Sequence, residues 1–84
     1  MSGKKSITLL NGGALPVSQY YRYKKLRSAV RRAIDLSLSE GKAVTIYDSE
    51  RGQTLAVTSR QGTSQMYSVQ VLTPRIFKQL WEVK

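Results

Sequence analysis

Cysteine and histidine are both missing from the 84-residue sequence. Their absence excludes disulfides, zinc sites built from Cys and His, thiol nucleophiles and imidazole catalysis. It also fits an intracellular location. Acidic residues are few, and Asp35, Glu40, Asp48, Glu50 and Glu82 are spaced so that no two form an acid–base pair. Asp48 and Glu50 flank an expected turn, where such residues cap and solvate the loop. No apolar run approaches the roughly 20 residues needed to span a bilayer. The opening MSGKKSITLLNGGALPV sets a Lys pair before an apolar patch, but Asn11, Gly12 and Gly13 break it before an h-region of about 7–15 residues can form. No targeting signal is read, and a cytoplasmic, non-membrane protein is expected. Neither G-x-G-x-x-G nor G-x-x-x-x-G-K-[ST] occurs, so Gly12-Gly13 reads as a turn. Zinc-finger and EF-hand spacings are missing too. No cofactor, metal or enzymatic activity is expected.

What the sequence has in quantity is positive charge: 14 Lys and Arg against 5 Asp and Glu, a net charge of +9. Such a field attracts polyanions, of which nucleic acid is the commonest. The length suits a single domain, residues 1–84, with a basic tail over residues 1–6 that stays mobile unless a ligand orders it.

The densest cluster of that charge lies in SQYYRYKKLRSAVRRAIDLSLSEG, Ser18–Gly41, where the spacing predicts the one long helix. On a wheel of about 100° per residue, Tyr23, Leu26, Val30, Ala33, Ile34 and Ser37 share one face. Tyr21, Lys24, Lys25, Ser28, Arg31 and Arg32 fall opposite. Ser18 is the expected N-cap and Gly41 the stop. Ala29 and Leu36 widen the apolar arc, which suggests contact with a second surface. Asp35 sits at helical spacing from Arg31 and Arg32, where an exposed ion pair is expected.

Ahead of this helix, Ile7–Leu10 and the turn signal Asn11-Gly12-Gly13 give either a small hairpin or an edge strand, and Pro16 argues against a central strand. After Gly41 the period changes to 2. Val44 and Ile46 should share one face of a strand over Ala43–Asp48. A turn at Ser49-Glu50-Arg51-Gly52 leads to Gln53–Ser59, where Leu55 and Val57 should oppose Thr54, Ala56 and Thr58. A third strand, Gln65–Leu72, sets Tyr67, Val69 and Val71 on one face. Its polar partners, with Thr45, Tyr47, Thr54 and Thr58, read as the solvent face of an antiparallel meander. Thr73-Pro74 opens a short helix through Val83, with Thr73 at the N-cap. Its Ile76, Phe77, Leu80 and Trp81 should pack on the core. If the helix projects, Phe77 and Trp81 become an anchor for a partner or a second copy.

The expected architecture is an α+β two-layer sandwich, (β)αβββα, with the long helix on a three- to four-stranded antiparallel sheet. On element order alone, αβββα is similar to the double-stranded-RNA-binding fold. That family carries a Gly-Pro-x-His loop and a Lys-Lys-x-Ala-Lys cluster, where this chain has Ser49-Glu50-Arg51-Gly52 and Pro74-Arg75-Ile76-Phe77-Lys78. The resemblance therefore stays at topology and implies no RNA-binding residue here.

The expected function is non-enzymatic binding of nucleic-acid backbone, DNA or RNA, with low sequence specificity. Its carriers are Lys24, Lys25, Arg31 and Arg32, with Tyr21, Arg22 and Arg27 beside them and Lys4 and Lys5 assisting. Asn, Gln and Glu are missing from that face, which leaves little to read base edges. The alternative is a phage or mobile-element accessory protein, anti-CRISPR-like in action, that docks on an acidic host protein or nucleoprotein complex. A homodimer is compatible with either.

Overall fold

A computed structural model describes residues 5–12 and 18–82. Its elements are β1 (Ile7–Asn11), β2 (Ser18–Tyr23), α1 (Leu26–Glu40), β3 (Val44–Asp48), β4 (Gln53–Arg60), β5 (Tyr67–Val71) and α2 (Pro74–Glu82). The five strands form one antiparallel sheet in the order β2-β1-β3-β4-β5. α1 packs across one face of it, with α2 beside α1. The α+β two-layer architecture is as the sequence implies, with five strands in place of three or four.

The extra strand comes from the front of the expected long helix. Ser18–Tyr23 is extended and pairs with β1 as a hairpin, so Ser18 caps no helix. Tyrosine at positions 20, 21 and 23 is the physical reason, since aromatic side chains favour the pleated surface over a helical turn. β1 is consequently an inner strand, flanked by β2 and β3. Ala14, Leu15, Pro16 and Val17 lie outside the described residues. α1 then starts after Lys25, which stands at the N-cap without a side-chain capping bond, and stops at Gly41 in the left-handed conformation (φ 67°), whose N–H donates to Ser37 O at 2.9 Å.

The core forms between α1 and the sheet. Leu26, Ala29, Val30, Ala33, Leu36 and Ser37 of α1 are buried against Ile7, Leu9, Val44, Ile46, Leu55 and Ala56. Ala29 and Leu36 are thus part of the intramolecular core; a sheet of five strands with α2 alongside covers a wider arc of the helix than three strands would.

Two bulges decide which side chains face α1. In β4 the register passes from Ile46↔Ala56 to Tyr47↔Thr54, so Leu55 is an extra residue and the alternation reverses there. Leu55, Ala56 and Thr58 therefore turn inward and Val57 outward, which corrects the expected pairing of Leu55 with Val57. Thr58, expected on the solvent face, is fully buried, and its hydroxyl donates to Ala33 O at 3.2 Å. Having given its one proton there, Thr58 Oγ1 accepts from Ser37 Oγ at 2.7 Å. The second bulge, in β2, shifts the register between Leu9↔Tyr21 and Leu10↔Gln19 and leaves Tyr20 extra, so Tyr20 and Tyr21 both reach the helix side.

Asp48 organises the β3–β4 turn as expected. Its buried carboxylate accepts from the Glu50 and Arg51 N–H groups at 3.0 and 3.2 Å and from Arg51 Nη1 at 2.9 Å. At the start of α2 the Thr73 carbonyl accepts from Phe77 N–H at 2.8 Å, while the Thr73 hydroxyl makes no capping bond.

Candidate polyanion-binding surface

The basic residues divide by what they touch. Arg27 lies on the exposed side of α1 with its guanidinium carbon 4.6 Å from the centroid of the Trp81 ring, and its Nε donates to Trp81 O at 2.9 Å. That carbonyl ends α2, so Arg27 serves as the cation at a helix C-terminus that has none of its own. Phe77 stacks near-parallel on Trp81, with centroids 5.7 Å apart. Ile76, Phe77, Leu80 and Trp81 all pack partly buried against the core, the arrangement expected of a docked helix.

Arg60 does the same for α1. From the end of β4 it donates through Nη1 to Leu38 O at 2.9 Å. It lies so close over the helix end that a Cβ on Gly41 would come 2.9 Å from its Nη2.

Arg32 is held by β2. Its Nη2 donates to Tyr21 Oη at 3.4 Å and its guanidinium lies 5.0 Å from the Tyr21 ring centroid. The Tyr21 hydroxyl raises the Arg32 pKa further above its ordinary value. Tyr20 donates to Glu40 Oε1 at 2.6 Å, and that bond, reinforced by desolvation, raises the phenol pKa above its ordinary value of 10.0. Tyr20 and Tyr21 stack at 6.3 Å, and Tyr23 meets Tyr21 edge-on. Tyr21 is thus engaged by protein on its hydroxyl and its ring, although it remains 42% exposed.

A second group has exposed side chains that make no hydrogen bond or ion pair among the described residues: Lys5, Arg22, Lys24, Lys25 and Arg31, with Lys42, Arg75 and Lys78 elsewhere on the chain. Lys24 and Lys25 form the bend between β2 and α1, so they share no helical arc with Arg31 and Arg32, which corrects the wheel. They lie instead at the N-terminal end of the helix whose second turn carries Arg31. Continuing the Ile7↔Tyr23 register outward brings Lys5 to the same end of the sheet. Arg22 pairs with Thr8 and alternates with Tyr21 and Tyr23, which places it on the face away from the helix. Lys4 lies outside the described residues.

The electrostatics of this end are one-sided. α1 has no acidic residue in its first turn to offset its positive pole. Asp35 makes no ion pair with Arg31 or Arg32; the described ion pairs are those of Arg51 with Asp48 and Glu50, at 2.9 and 3.9 Å. Arg32 is turned to Tyr21, its hydrogen-bond partner, and feels Asp35 only as a weaker nearby charge. Chemically the surface can neutralise an anion. Among the described residues no three carboxylates gather as a metal site, and no helix is long and apolar enough to cross a membrane.

Spacing alone put all the helix-face cations in one group. The separation into structural and free arginines was hidden because the partners are distant in sequence, Arg27 from Trp81 by 54 positions and Arg60 from Leu38 by 22. Comparison with protein-family models, curated proteins and solved structures finds no match.

Proposed function

We propose that this protein binds the phosphate backbone of nucleic acid through Lys24, Lys25 and Arg31, with Lys5 at the margin. The observation that carries this reading is the set of exposed, unpaired cations around the uncapped N-terminal end of α1, in a chain of net charge +9. Backbone amides at a helix start and flexible ammonium groups both suit phosphate oxygens. The group contains no Asn or Gln to read a base edge, so contacts are directed to the backbone and sequence preference is low. Arg27 and Arg32, each engaged by an aromatic ring and a hydrogen bond, hold the fold around the surface.

The test is fluorescence anisotropy with labelled duplex DNA and duplex RNA at low salt, comparing the wild type with the Lys24→Ala/Lys25→Ala/Arg31→Ala variant. Binding by the wild type and its loss in the folded variant support the reading. Undetectable wild-type binding to both duplexes overturns it.

A further inference from the structure

The two edges of the sheet are treated in opposite ways. β2 carries Arg22, runs into Lys24 and Lys25, and is distorted by a bulge, all of which discourage another strand from adding to it. β5 has none of these protections. Its register with β4 is regular from Ala56↔Val71 to Arg60↔Tyr67, and residues 61–74 contain no charged side chain and no proline before Pro74.

The free groups of that edge can be assigned. Leu72 N–H donates to Leu55 O at 2.8 Å and Gln61 N–H to Met66 O at 2.8 Å. In an antiparallel ladder these bonds fall on alternate residues, so Met66, Ser68, Gln70 and Leu72 turn their N–H and C=O toward β4. Tyr67, Val69 and Val71 therefore point theirs outward, to a side where no strand lies among the described residues.

We propose that β5 is the pairing edge of a symmetric dimer, in which two copies join their sheets antiparallel about a two-fold axis through Val69. This is the one register that uses all three outward residues: Val69 meets Val69 of the second copy, and Tyr67 meets Val71 in both directions, each pair exchanging its N–H and C=O. The side chains agree with it. Ser68 falls opposite Gln70, two groups able to hydrogen-bond, and Tyr67 opposite Val71 is a favourable aromatic and β-branched pair. Met66 falls opposite Leu72. Met66, Tyr67 and Leu72, at 68%, 47% and 46% exposed, are three of the four exposed large hydrophobic residues described, and this register gives each an apolar partner. Charge selects the same edge for self-association. Two chains of +9 repel wherever their cations meet, and β5 is an uncharged edge at the opposite side of the sheet from Lys24 and Lys25.

The test combines mass with amide exchange on the full chain. Light scattering should give twice the 9.5 kDa chain mass, and the Tyr67, Val69 and Val71 amides should gain protection from hydrogen exchange as concentration rises. Val69→Pro removes an outward N–H and leaves the bonds to β4 in place, so it should give a folded monomer. The Met66→Lys/Leu72→Lys variant changes two exposed side chains and sets cations opposite each other; it should weaken the dimer about ten-fold or more even if Val69→Pro fails to fold. A wild-type monomer at all accessible concentrations, or a dimer undiminished in the Lys variant, overturns the proposal.

Discussion

The Arg27 guanidinium lies over the Trp81 ring while its Nε bonds the Trp81 carbonyl at 2.9 Å, joining the first turn of α1 to the last turn of α2. One side chain thereby supplies a cation–π contact and the cap of a helix C-terminus. The equivalent role at the end of α1 falls to Arg60. Both helices of this highly basic chain consequently end on an arginine borrowed from another element, and those arginines are not available to a ligand in the way Lys24, Lys25 and Arg31 are.

Arg27→Ala should therefore act on stability. A cation–π contact near the surface is worth about 0.5–1 kcal/mol and a net hydrogen bond about 0.5–1.5 kcal/mol. Arg27→Ala is expected to lower the unfolding free energy by about 1–2 kcal/mol in urea denaturation. Arg31→Ala should change it by no more than about 0.5 kcal/mol, because its side chain is exposed and touches no partner.

Ser37 and Thr58 form the buried polar link between α1 and β4. Thr58→Val removes the acceptor for Ser37 and the donor to Ala33 O, leaving buried polar groups unsatisfied, at a cost of about 1–3 kcal/mol. Adding Ser37→Ala removes one of those stranded groups. The double variant should be less destabilised than the two single variants added together, by an amount read from a double-mutant cycle.

Gly41 has a positive φ of 67°, and a Cβ there would also meet Arg60 at 2.9 Å. Gly62 has a similar φ of 60° with nothing within 4 Å. Both substitutions by Ala carry the backbone penalty of about 1 kcal/mol. Gly41→Ala should cost more than Gly62→Ala, since only it must displace the arginine at the α1 C-terminus. Thermal unfolding of the two variants measures the difference.

Tyr20 gives the fold a dependence on alkaline pH. Its phenol donates to the Glu40 carboxylate, which holds the pKa above the unfolded value of 10.0. A raised folded pKa means that the stabilisation is fully present below the unfolded pKa and is lost as pH rises through the folded one. In spectrophotometric titration one phenol should ionise later than an ordinary tyrosine. Tyr20→Phe should abolish that late step and flatten the decline of stability above pH 10.

The sequence makes the layers legible and hides the reversals. Val44 and Ile46, the Asp48 turn, Gly41 at the helix stop and the apolar side of α2 all follow from local chemistry, because each depends on neighbours a few residues away. Ser18–Tyr23 reads as helix because Tyr23, Leu26 and Val30 fit a 3.6-residue period, whereas the three tyrosines themselves favour the strand that forms. The bulges at Tyr20 and Leu55 are invisible to alternation, which assumes an unbroken ladder, so the inward turn of Ala56 and Thr58 is a tertiary result. At the candidate surface, the exposure of Lys24, Lys25 and Arg31 is what the charge pattern implies. The contacts of Arg27 with Trp81 and of Arg32 with Tyr21 are not legible, because no spacing rule connects those partners.

The salt dependence of duplex binding tests the central claim most directly. With Lys5, Lys24, Lys25 and Arg31 neutralising about four phosphates, log affinity against log salt should fall with a slope near −4. Removing Lys24, Lys25 and Arg31 together should bring the slope to about −1, whereas Arg27→Ala should lower stability and keep the wild-type slope. Binding that is indifferent to salt, or a slope that survives the triple substitution unchanged, would contradict the account.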